Sequence, residues 1–79
     1  MQAVKGMVQV AGTTYRIVRQ GQGQYDVVRI LDDLKVGSFR SFPRVEVTSS
    51  SIEPVLMREV ARAAIQGAKT SWVGRLTLP

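Results

Sequence analysis

Short runs rich in β-branched and aromatic residues, with apolar and polar positions often alternating, fill the first half of the chain. They are "GMVQVAG", "TYRIVRQ", "YDVVRIL" and "VGSFRSF". Such runs are typical of strands that bury one face. They predict strands near residues 6–11, 14–20, 25–31 and 36–42. Two shorter runs, near residues 44–48 and 72–78, are candidates for additional strands.

The segment "TYRIVRQGQGQYDVVRIL" predicts a β-hairpin, because two strand-like runs flank a glycine-containing connection. Two registers are open. A two-residue turn at Gln22–Gly23, with Gly21 opposite Gln24, places Ile17 opposite Val28. A longer loop places Ile17 opposite Val27. These alternatives differ by a one-residue slip, which reverses the facing of side chains.

We favour the first register because it gives one strand face of apolar pairs and a salt bridge between Arg19 and Asp26. It also places Arg16 directly opposite Arg29. Like charges in such a pair destabilise a sheet, and an anionic partner would relieve the repulsion. The alternative to an anionic partner is that both arginine side chains extend into water, with their aliphatic parts on apolar neighbours.

A helix is predicted near residues 51–67. Ser50 and Glu53 have the spacing of a capping box, and Ser51 is the alternative N-cap, which would place Pro54 in the first turn. The apolar residues recur at the four-residue step of an amphipathic helix. They are Ile52, Leu56, Val60 and Ala64, with Val55 and Ala63 beside them. Gly67 is a natural C-terminal stop.

Length and composition restrict the class of protein. A chain of 79 residues predicts a single domain over residues 1–79. Its 44% hydrophobic and 22% charged residues are typical of a globular protein. No apolar run approaches the length of a membrane span, so no membrane partner is expected. The predicted fold is α+β, a small antiparallel sheet of three to five strands with one helix packed on one face.

The residue types argue against an enzyme. The chain has no cysteine and no histidine, which removes thiol chemistry, disulfides and the commonest general base. The serines of Ser49–Ser51 therefore lack an activating partner. Asp32–Asp33 lacks further oxygen ligands at calcium-loop spacing and favours a turn. We expect no catalytic residues, metal or cofactor. The lack of cysteine fits a reducing compartment, and we expect a cytoplasmic protein.

The charge suggests an anionic partner. The net charge is +5 and the sequence pI is about 10.5, with arginine the main basic residue. Arginine binds phosphate and base edges through its planar fork. Arg58 and Arg62 lie one helical turn apart, and Tyr25 is a candidate stacking residue. The predicted nucleic-acid-binding residues are Arg16, Arg29, Arg40, Tyr25, Arg58 and Arg62. Any of these arginines is equally expected on a solvated surface.

From about Tyr15 to Gly67, the order of a three- or four-stranded sheet followed by one helix resembles small sheet-type DNA-binding domains. Examples are the arm-site domains of tyrosine integrases and plant AP2 domains. The resemblance rests on topology, without a specific motif, and implies an exposed sheet face that enters the major groove. We therefore expect a small binding module whose partner is nucleic acid. The alternative is a protein partner or a homodimer, joined through a sheet edge.

Overall fold

A computed structural model of the chain describes residues 4–66. The predicted α+β fold is confirmed: a five-stranded antiparallel sheet with one helix packed against it. The strands are β1 (Met7–Val10), β2 (Thr13–Gly21), β3 (Gln24–Arg29), β4 (Leu34–Arg40) and β5 (Glu46–Ser50), and the helix is α1 (Pro54–Gln66). The candidate strand near residues 72–78 lies outside the described residues.

The strands lie in the sheet in the order in which they occur in the chain, so that each pairs with the next. Short connections permit this meander because antiparallel neighbours can be joined by tight turns. The β1–β2 turn consists of Ala11 and Gly12, which both have positive φ. The β2–β3 turn uses Gln22 and Gly23, where Gly23 has a φ of 70°.

The register of β2 and β3 combines the two predicted alternatives. Gly21 pairs with Gln24, as in the favoured two-residue turn, but Ile17 pairs with Val27 and Arg19 with Tyr25. Gln20 is the extra residue of a β-bulge that shifts the pairing by one position. The favoured pairing along the strands is therefore wrong, and so is the predicted salt bridge between Arg19 and Asp26.

The start of α1 also differs from the predicted capping arrangement. The helix begins at Pro54, and the amide of Met57 donates to the carbonyl oxygen of Glu53 at 3.0 Å. Ser50 instead bonds locally to Ile52. The amide of Ser51 donates to the carbonyl oxygen of Val36 at 2.8 Å, and its hydroxyl donates to the same oxygen. Ser51 thus holds the connection to α1 against β4.

One face of the sheet and the inner side of α1 form the core. The fully buried helix residues are Met57, Val60, Ala61, Ala64 and Ile65, and the buried strand residues are Val8, Tyr15, Ile17, Val27, Val36 and Phe39. The buried stripe of α1 is rotated from the predicted one, because Met57 is enclosed whereas Val55 is 51% exposed. Burial of this apolar surface is the main stabilising contribution to the fold.

The helix contacts both edge strands, β1 and β5. Near its end, the carbonyl oxygen of Ala64 accepts a 2.9 Å hydrogen bond from the amide of Lys5, just before β1. A helix of 13 residues is about 20 Å long, close to the width of five strands spaced about 4.8 Å apart. One helix therefore reaches across the inner face of the sheet. No other element of residues 4–66 covers the opposite face, which is called the open face.

Candidate functional site

The structure distributes the six predicted nucleic-acid-binding residues over three surfaces. Arg16 and Arg40 lie on the open face of the sheet. Arg29 pairs with Tyr15, and Tyr25 pairs with Phe39, so both belong to the inner face. Arg58 and Arg62 are exposed on the outer side of α1. The register places Arg16 opposite Val28, so the predicted pair of Arg16 with Arg29 is wrong.

Arg16 and Arg40 are also distant from each other on the open face. Arg16 pairs with Val28 on β3, whereas Arg40 pairs with Gln24 on the same strand. Four residues along a strand span about 13 Å. The sheet arginines therefore form no single cluster.

The turn between β3 and β4 engages two of these arginines in ion pairs. Arg29 donates to both carboxylate oxygens of Asp32, through Nε at 2.9 Å and Nη2 at 2.8 Å. This two-pronged bond lowers the pKa of Asp32 and raises the pKa of Arg29. Arg16 reaches Asp33 at 3.2 Å. The two aspartates of the turn therefore pair with two of the predicted nucleic-acid-binding arginines.

The remaining basic residues of the open face are also paired. Arg40 donates through Nε to Glu46 Oε1 at 2.9 Å, and Nη2 contacts the same oxygen. The hydrogen bond from Arg40 lowers the pKa of Glu46. Lys35 Nζ lies 3.4 Å from Asp26 Oδ1. With Arg16 paired to Asp33, the three cations of the open face have three anionic partners.

The other two groups of predicted residues differ in how accessible they are. Tyr25 is half-buried and its ring stacks on Phe39, with 5.3 Å between the ring centroids and 21° between the planes. This contact occupies one face of the Tyr25 ring. Arg58 and Arg62 are exposed, and neither forms an ion pair with an acidic residue in the range 4–66. Their positive charge is therefore directed to solvent.

Most of the residues that line a depression of about 250 Å³ on the open face were not among the predicted site residues. The polar lining residues are Gln20, Gln24, Asp26, Ser38, Arg40 and Thr48, and Tyr25 and Phe39 also line the depression. Arg40 and Tyr25 are the two members of this group that the sequence had suggested. The polar positions of β3 and β4 were visible in the sequence, but the bulges that complete the depression carry no local signal.

Within residues 4–66, no three acidic, cysteine or histidine side chains are grouped to hold a metal ion. The only helix described there is too short and too polar to cross a membrane.

Comparison of the chain with protein-family models, curated proteins and solved structures finds no match. The resemblance to sheet-type DNA-binding domains thus rests on the order of the elements alone.

Proposed function

We propose that the chain is a small, non-enzymatic binding module for nucleic acid, and that the outer side of α1 contacts the phosphate backbone. The observation that supports this proposal is the exposed, unpaired state of Arg58 and Arg62 within the described part of the chain. Residues four apart on a helix lie side by side about 6 Å apart. Two arginines on the same side of a helix can therefore contact two phosphates of one backbone.

Ion pairing favours α1 over the sheet. Four acidic residues neutralise Arg16, Arg29, Lys35 and Arg40. Within residues 4–66, the cations outside these ion pairs are Lys5, Arg19, Arg44, Arg58 and Arg62, and the acids outside them are Glu53 and Glu59. Both of these acids lie at α1, so the helix carries no excess of charge, and its support is that Arg58 and Arg62 are exposed and free to bind phosphate.

The proposed contact has a measurable salt dependence. Each phosphate neutralised by arginine contributes about −0.9 to the slope of log K against log salt concentration for duplex DNA. The two helix arginines together should contribute about −1.8. Binding that relies on the backbone is independent of sequence, with dissociation constants of about 10⁻⁴ to 10⁻⁶ M at physiological salt.

The test is fluorescence anisotropy with a labelled duplex and a labelled single strand, between about 50 and 200 mM salt. We expect the Arg58→Ala, Arg62→Ala variant to bind more weakly and to lose about 1.8 of the slope on duplex DNA. The matched control is Arg16→Ala, Arg40→Ala, which removes the same charge from the sheet. The proposal is wrong if wild type binds neither oligonucleotide at the lower salt concentration. An effect confined to the sheet variant would instead assign the contact to the open face.

The second candidate is a protein-interaction or self-assembly module. Within the described residues, β5 pairs with β4 alone, so its outer edge has backbone groups available to another strand. Leu31 and Phe42 are 89% and 77% exposed, and exposed apolar side chains of this kind are common at protein interfaces. Light scattering across a concentration series tests self-assembly. A mass of 8.7 kDa at every concentration would count against it.

A further inference from the structure

The open face of the sheet carries a depression on the side away from α1. Its polar lining residues come from four strands: Gln20, Gln24, Asp26, Ser38, Arg40 and Thr48. Tyr25 and Phe39 also line it. Asp26 pairs with Ser38, and Gln24 pairs with Arg40, so these four side chains share one face of β3 and β4. The adjacent pair, Val27 and Gly37, faces α1. The depression is therefore separate from the helix surface proposed to contact nucleic acid.

Two β-bulges flank the depression. Gln20 is skipped in the pairing of β2 with β3, and Thr48 is skipped in the pairing of β4 with β5. Both skipped residues line the depression. A bulge bends its strand and redirects a side chain, and bulges are common beside binding sites. The two irregularities thus add an amide and a hydroxyl to opposite sides of the same polar surface.

The side chains of the depression have unused hydrogen-bonding capacity. The Asp26 side chain is only 19% exposed, and both of its contacts use Oδ1, at 2.8 Å from Ser38 Oγ and 3.4 Å from Lys35 Nζ. Within residues 4–66, no protein group donates to Asp26 Oδ2. Arg40 directs Nε and Nη2 at a single Glu46 oxygen, which leaves Nη1 available. A largely buried carboxylate oxygen favours a hydrogen-bond donor.

The charges restrict the class of ligand. Asp26 is balanced by Lys35, and Arg40 is balanced by Glu46. A charged ligand would have to displace one of these partners, whereas a neutral ligand uses only the remaining donors and acceptors. Hydroxyl groups suit this surface because each one both donates and accepts. The volume of about 250 Å³ is below the range of about 300–1,000 Å³ for drug-sized ligands.

We propose that this depression binds one neutral, hydroxyl-rich ring of monosaccharide size. Asp26 accepts hydrogen bonds from ligand hydroxyls. Arg40 and the side-chain amides of Gln20 and Gln24 donate to the hydroxyl and ring oxygens of the ligand, and the Thr48 hydroxyl forms a hydrogen bond at the rim. The ligand is a free monosaccharide or the terminal sugar of a glycan, which present the same hydroxyl chemistry. A ligand of about 12 heavy atoms should bind with a dissociation constant on the order of a millimolar.

The test is an amide NMR titration of the full-length protein with glucose, galactose, mannose and N-acetylglucosamine and their methyl glycosides. We expect saturable chemical-shift changes of the amides around Gln24, Asp26 and Thr48.

The methyl glycosides distinguish the two sources of the ligand. Binding of methyl glycosides as well as free sugars supports the glycan source, and binding of free sugars alone supports the monosaccharide. The proposal is overturned if no sugar shifts these amides up to about 50 mM, far above the expected dissociation constant. A response to phosphate or acetate without a response to sugars also overturns it.

Two variants show whether the depression itself is responsible. Gln24→Ala should raise the dissociation constant about three- to tenfold, as expected for one lost hydrogen bond. Gln9→Ala is the matched control, since Gln9 is exposed on the open face but lies on β1, outside the depression. Equal weakening by both variants would overturn the assignment. Neither variant alters α1, so the outcome is independent of the nucleic-acid test.

Discussion

Gly37 on β4 lies directly against Met57 on α1. A Cβ atom at residue 37 would lie 2.9 Å from the Met57 sulfur and 2.5 Å from the carbonyl oxygen of Ser49 on β5. Both approaches are closer than carbon atoms tolerate, and the second involves backbone that cannot rotate away. The absence of a side chain at Gly37 therefore allows α1 and β5 to approach β4 as closely as they do.

Gly37→Ala should destabilise the fold by about 1–3 kcal/mol, because the added methyl group overpacks the junction of the helix and two strands. The measurement is urea unfolding followed by circular dichroism. Gly21→Ala is the matched control, since a Cβ at that strand position meets nothing within 4 Å. Equal stability changes in the two variants would contradict the close packing at Gly37.

Phe39→Ala should destabilise the protein by about 3–5 kcal/mol, because Phe39 is 1% exposed and its removal leaves a cavity beside Tyr25. Phe42→Ala is the control with the same chemistry at an exposed position, and it should change the free energy of unfolding by less than about 0.5 kcal/mol. The urea midpoints of the two variants provide the comparison. A similar loss of unfolding free energy in both variants would contradict the difference in burial between Phe39 and Phe42.

The β1–β2 turn offers a stabilising substitution. Ala11 has a φ of 52° and is exposed, and Gly12 after it has a φ of 81°. Alanine is strained in this left-handed region, whereas asparagine and glycine tolerate it, and asparagine followed by glycine is the preferred pair in such two-residue turns. Ala11→Asn should raise the free energy of unfolding by about 0.5–1 kcal/mol. Gly12→Ala should lower it. A thermal melt of each variant measures both effects. Destabilisation by Ala11→Asn together with stabilisation by Gly12→Ala would exclude this backbone conformation.

Acid should weaken the fold through Asp32 and Glu46. Arg29 lowers the pKa of Asp32, and Arg40 lowers the pKa of Glu46. A carboxyl group whose pKa is lower in the folded state contributes stability above its unfolded pKa, about 4. That contribution is lost as the pH falls from about 5 through the folded pKa. Wild type should therefore lose more stability between pH 6 and 2.5 than the Asp32→Asn, Glu46→Gln variant, measured by urea midpoints.

The control for the acid experiment is Glu59→Gln, on the exposed side of α1. Glu59 forms no ion pair with a basic residue in the part of the chain that the structure describes. The variant should lose as much stability as wild type over the same pH range. If the Asp32→Asn, Glu46→Gln variant also followed wild type, the two ion pairs would have no part in the acid response.

The sequence determined the order and type of the elements, since both depend on local features. Alternation and β-branched residues marked the strands, glycines marked the turns at Gly12 and Gly23, and a separate apolar periodicity marked the helix. The tight turn at Gln22–Gly23 was also correct, because turn geometry depends on a few neighbouring residues. The six predicted site residues could be named as exposed candidates from residue type, but not placed relative to one another.

The tertiary structure decided the facing of the side chains and the distribution of charge. The bulge at Gln20 keeps the predicted turn but shifts the pairing beyond it, which moves Arg16 and Arg29 to opposite faces. The same folding brings Asp33 to Arg16 from 17 positions along the chain, and leaves Arg58 and Arg62 outside the ion pairs of the described residues. The residues of one segment favour the conformation of that segment alone. Register and ion pairing depend on which segments meet, because a slip of one residue reverses a strand's faces.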